Sequence, residues 1–205
     1  MRLNNKIALI TGSASGFGKG IAKKFVEEGA RIILVDINAK LLKKVSRNLS
    51  QDYFVADVSK TSHYNSLVRY VYKKYNFIDI IVNNAGITHK PKPMENVTEK
   101  EFDKVFNVNA KSVYLCGKFF VPVMKKHKKG SILNIASTAG ISPRPKLNWY
   151  NASKGWMITA SKAMAIELAP FNVRVNAIAP VAGKTPLLKS FMGGNTLKKK
   201  QAFLS

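Results

Sequence analysis

Short apolar runs alternate along this chain with longer stretches whose apolar residues recur every three or four positions. The runs Lys6–Ile10, Arg31–Asp36, Tyr53–Asp57, Ile78–Asn83, Ser131–Ser137 and Val173–Ala179 predict six strands. Several, such as Ile32-Ile33-Leu34-Val35, lack polar alternation, as expected of strands covered on both faces. The segments 17–28, 39–49, 61–75, 99–126 and 150–169 carry the helical period. Strands and helices in strict alternation predict an α/β fold, a doubly wound parallel sheet with helices on both faces. Right-handed crossovers would open the ligand crevice at the carboxyl ends of the strands. No linker divides the 205 residues, so one domain over 1–205 is expected.

Chemistry-bearing residues gather at those strand ends. The first strand runs into Thr11-Gly12-Ser13-Ala14-Ser15-Gly16-Phe17-Gly18 and then a helix. Glycines at 12, 16 and 18 allow a tight turn, close approach of a pyrophosphate, and close helix–strand packing. The helix N-terminus would meet the anion with free N–H groups. The loop lacks the Gly-Lys-Ser/Thr ending of a nucleoside-triphosphate loop. Asp36 ends the second strand, where a carboxylate accepts from both ribose hydroxyls and repels a 2′-phosphate, favouring NAD while leaving NADP possible. Asp36 and Asn38 compete there as N-cap of the next helix. Asp57-Val58 closes the third strand, where a carboxylate reaches an adenine amino group or caps a helix. Asn83-Asn84-Ala85-Gly86 closes the fourth, with small residues where backbone would pass a cofactor.

Tyr150 and Lys154 stand four apart on a predicted helix and share a face. An ammonium beside a phenol is expected to lower the tyrosine pKa from about 10 toward the working pH, fitting it to exchange a proton with an alcohol or carbonyl oxygen. Ser137, at the end of the fifth strand, opens into the same crevice, where its hydroxyl would polarise a carbonyl. Asn109 falls inside the long 99–126 crossover, where a buried polar residue satisfies a helix irregularity or carries a water chain.

Charge changes the picture modestly. Lysine and arginine number 34 against 11 acids, a formal +23, and residues 105–205 hold a single acid, Glu167. Such a surface attracts polyanions, but Lys outnumbers Arg 28 to 6 and no Arg-bearing aromatic segment supports specific nucleic-acid recognition. The lone Cys116 excludes a disulfide framework, and His63, His89 and His127 share no metal-ligand spacing. The charge-free stretch Ser131–Pro143 is too short and polar to span a bilayer, and the start of the chain does not read as a secretory leader, so a cytoplasmic protein is expected.

Taken in order, Thr11-Gly-x-x-x-Gly-x-Gly18, Asp57, Asn83-Asn-Ala-Gly86, Asn109, Ser137, Tyr150-x-x-x-Lys154 and Asn176-x-x-x-Pro180 resemble the short-chain dehydrogenase/reductase family, from residue 6 to about 190. The resemblance implies a Rossmann-like domain and hydride transfer between a nicotinamide and a carbonyl or secondary alcohol, in members like 3-oxoacyl carrier-protein reductases or sugar and polyol dehydrogenases. It implies Tyr150 as general acid/base, Ser137 as hydrogen-bond partner of the substrate oxygen, Lys154 as holder of the nicotinamide ribose, and Asn109 as anchor of a proton-relay water. Cofactor contacts are implied at Gly12, Ser15, Gly16, Phe17, Gly18, Asp36, Asp57, Val58, Asn83, Ala85, Gly86, Tyr150, Lys154, Pro180 and Thr185, with no metal. Relatives usually continue into a further helix and a seventh strand. Here a shortened chain is expected, with residues 185–205 a partial substrate loop and basic tail, and a nucleotide-binding remnant without turnover is the alternative function. The basic run Lys125–Lys129 is a candidate dock for an acidic carrier protein, and assembly with other copies through 99–126 and 150–169 is a family expectation.

Overall fold

The computed structural model describes residues 1–181, 183 and 185–192. The basic tail Asn195–Ser205 lies outside the described residues. Six strands form one parallel sheet: β1 (Ile7–Thr11), β2 (Arg31–Asp36), β3 (Asp52–Val55), β4 (Ile80–Asn83), β5 (Gly130–Ile135) and β6 (Val173–Ile178), in the order β3-β2-β1-β4-β5-β6. The direction of winding reverses between β1 and β4, which pair through Ala8↔Ile80, Leu9↔Ile81 and Ile10↔Val82. A crevice opens at such a reversal, because the connections leave the two strands toward opposite faces.

Alternation along each strand divides the core. Leu9, Ile33, Ile81 and Ile132 face one side and meet Tyr64 and Leu67 of α3 (Thr61–Tyr75) and Phe120 of α5 (Ser112–His127). Ile10, Leu34 and Val82 face the other, against Ala22 of α1 (Gly16–Glu27) and Leu42 and Val45 of α2 (Ala39–Leu49). With both faces covered, the central strands are mostly apolar, and the polar side chains they bury, such as Asn83 and Asn134, bond to each other.

The expected 99–126 helix is interrupted. α4 (Glu99–Phe106), started by a capping box between Thr98 and Glu101, passes through a π-turn at Asn107–Lys111 before α5 begins. α6 (Asn148–Leu168) follows β5 after a 3₁₀ turn at Thr138–Gly140, and a short α7 (Pro186–Phe191) follows β6. No described helix is long and apolar enough to cross a membrane.

The corner between β1 and α1 is tightly packed. Gly12 has φ +65°, and a Cβ there would lie 2.9 Å from the Ala85 Cα. A Cβ on Gly18 would fall 2.2 Å from the Gly12 carbonyl oxygen and 2.4 Å from Asn84 Nδ2. Gly18→Ala is therefore expected to cost at least about 2 kcal/mol, because the neighbours are backbone and a tethered amide that cannot retreat. Thermal denaturation of the variant beside wild type measures this, and an unchanged melting temperature would refute it.

Candidate active site

A cavity of about 1100 Å³ runs along the carboxyl edge of the sheet, from the ends of β2 and β3 to α7. At one end, the Asp36 carboxylate accepts the Ala14 N–H (3.0 Å) and the Asn38 N–H (2.9 Å), which fixes the glycine loop to β2. Asn38, not Asp36, caps α2, accepting from the Leu41 N–H at 3.0 Å. Asp36 is thus left on the cavity wall. Asp57 also lines the wall and accepts from the Ser59 N–H and hydroxyl, which draw its pKa below the ordinary carboxylate value against the opposing effect of burial. It caps no helix; it closes a turn ahead of α3.

The α1 N-terminus opens on this wall through Ser15, Gly16 and Phe17. Ser15 makes no side-chain cap, and the first turn of α1 holds no acid, so its N–H groups and positive end remain available to an anion. Across the reversal point, the Thr11 hydroxyl accepts the Asn84 and Ala85 N–H groups, both at 3.0 Å. The Asn84 amide in turn donates to the Thr11 and Gly12 carbonyls, at 2.8 and 3.1 Å. The glycine loop and the Asn83–Gly86 loop are therefore held as one unit.

Two expected cofactor contacts lie elsewhere. Asn83 does not line the cavity; it is buried beneath the sheet edge, donating to Asn134 Oδ1 (2.8 Å), whose amide donates to Ser161 on α6. As the last residue of β4 it faces the opposite way from Asn84, which takes the crevice-side position. Gly18 is also off the wall, because it packs against Gly12 and Asn84. Val58, Ala85, Gly86, Pro180 and Thr185 all line the cavity, and the Thr185 side chain rests against Gly16.

At the other end, Ser137, Tyr150 and Lys154 come together. Tyr150, 3% exposed, is hydrogen-bonded to Ser137, whose Oγ also accepts the Ala139 N–H. Lys154, 4% exposed, donates to the Ile135 carbonyl at 2.7 Å. The π-turn brings Asn109 beneath them. Its side chain accepts the Ile87 N–H and donates to the Ile87 carbonyl and to Ser153 Oγ, each at 2.9 Å. Gly86 sits between Lys154 Nζ and Asn109 Oδ1, so a Cβ there would lie within 3.4 Å of both. Asn109 itself is off the cavity wall and lies within the helix irregularity at 107–111.

The electrostatics correct one expectation. Tyr150 is not brought down from its ordinary value near 10 but pushed above it, because burial penalises the phenolate more than the Ser137 hydrogen bond favours it. Burial instead acts on the amine, bringing Lys154 down to about 8. Burial is the leading cause of both shifts.

Sequence reasoning passed over Asn84, Ser153 and Phe191. Asn84 was signalled by the Asn doublet, and Ser153 by its i+3 position behind Tyr150. Phe191, whose ring meets the Tyr150 ring edge-on at 5.0 Å, gave no local signal, since only the fold of the segment after β6 brings it there.

The short chain dehydrogenase family model matches residues 6–194. The 4-formylbenzenesulfonate dehydrogenase of Comamonas testosteroni is 39% identical over 211 residues, spanning 100% of this chain and 84% of the relative. The 3-oxoacyl-[acyl-carrier-protein] reductase of Thermotoga maritima is 40% identical over 192 residues, covering 91% of this chain and 78% of its own length. A crystal structure of 3-ketoacyl-(acyl-carrier-protein) reductase from Brucella melitensis complexed with NADH superposes with a TM-score of 0.91 at 42% identity, covering 98% of this chain and 83% of that one. The chain belongs to the short-chain dehydrogenase family. It is a nicotinamide-dependent oxidoreductase acting on the alcohol/carbonyl pair.

Proposed function

We propose that this enzyme reduces a carbonyl, or oxidises the matching secondary alcohol, with NAD(H) bound along the cavity and with Tyr150 handling the proton. The observation that carries the reading is the buried Tyr150 phenol, hydrogen-bonded to Ser137 and one helical turn from a buried amine. The residues at the far end fit a dinucleotide: an uncapped helix start and bare glycine backbone for the pyrophosphate, and two wall carboxylates, Asp36 and Asp57, for the adenosine half. When bound, a nicotinamide would supply or accept the hydride. Ser137 donates to the carbonyl oxygen and aligns it with the phenol, and Tyr150 gives that oxygen its proton as charge develops. Lys154 lies where its ammonium can steady the phenolate left behind and hold a ribose hydroxyl, exchanging the Ile135 carbonyl for those partners. Asn109 keeps the Ile87 backbone and Ser153 fixed beneath the reacting groups.

Adding NADH or NADPH to the purified protein and following absorbance with a set of ketones and aldehydes tests this reading. Turnover with NADH supports it. A melting-temperature rise without turnover on any carbonyl would leave only a nucleotide-binding scaffold. Asp36 supports NAD over NADP, because a 2′-phosphate would meet its charge. Asp36→Asn keeps an acceptor for the Ala14 N–H and removes that charge, so the ratio of NADH to NADPH efficiency is expected to fall at least about 10-fold. An unmoved ratio in steady-state kinetics would reject Asp36 as the discriminator.

For the substrate, a carrier-bound 3-oxoacyl group and a sugar or polyol are the two subclasses the sequence favours. The Lys125–Lys129 run supports an acidic carrier only weakly, since Lys125 pairs with Glu167 (3.0 Å) and Lys129 with Asp79 (2.6 Å). Exposed Tyr114 on α5 and Trp156 and Ile166 on α6 support self-assembly through these helices.

A further inference from the structure

Lys154 carries chemistry that holding a ribose and steadying a phenolate do not exhaust. Among the described residues it is the one buried lysine, and no carboxylate pairs with it there. Its Nζ donates to the Ile135 carbonyl at 2.7 Å. Donating one N–H to that carbonyl leaves an uncharged amine its lone pair for a second purpose. The place that a Cβ on residue 86 would take is 3.3 Å from Nζ, and Gly86 lines the cavity together with Lys154. The missing side chain leaves the amine open on that side. Burial brings its pKa down to about 8. At pH 7 about one such amine in ten is uncharged, against about one in 3,000 for an ordinary lysine. One helical turn earlier, Tyr150 lines the same cavity, and burial keeps its phenol protonated.

A desolvated amine with a proton donor one turn away, in a cavity with room for a small aldehyde, is the set of groups that imine formation needs. We propose that in the cofactor-free protein Lys154 condenses with aldehydes, with Tyr150 carrying the protons. The amine lone pair forms a bond to the aldehyde carbon as the C=O π pair moves to oxygen, which takes the phenol proton. The new ammonium returns a proton to the phenolate, giving a neutral carbinolamine. The nitrogen lone pair then expels the hydroxyl group, which leaves as water with the phenol proton, and the iminium N–H restores the phenol. One aldehyde and one amine become one imine and one water, with no oxidant or reductant. No hydride moves, so this activity stands apart from the carbonyl–alcohol interconversion proposed above.

The test incubates cofactor-free protein at pH 7 with benzaldehyde and sodium cyanoborohydride, which reduces an imine to a stable secondary amine. Modified lysines are mapped by mass spectrometry over time. Lys154 is expected to be trapped at least about 10-fold faster than the average of the other lysines, a smaller factor than the uncharged fractions alone give because the amine is little exposed. Labelling confined to other lysines, or Lys154 labelled no faster than their average, overturns the proposal. Tyr150→Phe is expected to slow trapping at Lys154 at least about 10-fold while the other lysines keep their rates, and an unchanged Lys154 rate overturns it as well. Should that variant not fold, wild type in urea takes its place. The preference for Lys154 is expected to vanish on unfolding, and one that persists is not made by the fold and overturns the proposal. Selective trapping in a protein that reduces no ketone or aldehyde with NADH leaves the imine chemistry standing while the hydride-transfer reading fails.

Discussion

Replacing Tyr150 by phenylalanine is expected to lower kcat about 10³-fold, within the range that general acid catalysis supplies. The change removes one oxygen from a ring that is otherwise fully packed, against Phe191 on one side and Ala139 and Leu147 on the other. The ring stays, so its packing stays. Among the described residues, the phenol's polar partner is Ser137, which is also held by the Ala139 N–H. Stability should therefore move little, and NADH affinity should fall far less than turnover. Single-turnover absorbance with saturating NADH separates the steps, since a proton donor acts at the chemical step and leaves cofactor capture largely alone. Turnover within a few-fold of wild type would remove Tyr150 from the reaction.

The second large effect concerns Lys154, and it has two readouts of opposite sign. Lys154→Met should reduce turnover by about 10²-fold or more, because no ammonium is then available to offset the phenolate. The same change should stabilise the protein near neutral pH. Burial brings this amine from its ordinary 10.5 to about 8, so below pH 8 the folded state carries the full cost of a buried charge. Between pH 8 and 10.5 the unfolded chain binds more protons at this group than the folded chain does, and wild-type stability rises with pH. The methionine variant has no such dependence. Its advantage over wild type should therefore shrink by about 2–3 kcal/mol from pH 7 to pH 10, and methionine's own packing cancels from that difference. Denaturant titrations of both proteins at the two pH values measure it. A difference independent of pH would mean the amine is not desolvated as its burial implies.

How much was legible in the chain depended on the range of the interaction. The strands were, because a run such as Ile32–Val35 has no polar position and suits only a doubly covered strand. The switch point followed, since alternation of strands and helices leaves few windings. Local site geometry was legible where periodicity expresses it, as for Tyr150 and Lys154 on one helix face. Three things were not. The π-turn at Asn107–Lys111 depends on Asn109 finding the Ile87 backbone and Ser153, contacts made across the fold. The outward face of Asn84 rather than Asn83 depends on where β4 ends, a one-residue matter that flips a side chain across the sheet. The pKa ordering of Tyr150 and Lys154 depends on burial, which spacing does not express.

The stitching of Thr11 to Asn84 and Ala85 has a mechanical consequence. Four hydrogen bonds cross the split between β1 and β4 at its mouth, so the two halves of the sheet cannot part like jaws without breaking all of them. Admission of a ligand as long as a dinucleotide must fall to the opposite rim, where Thr185 rests on Gly16 and Phe191 on Tyr150. The floor is a fixed berth, and the segment from 185 to 191 is its gangway.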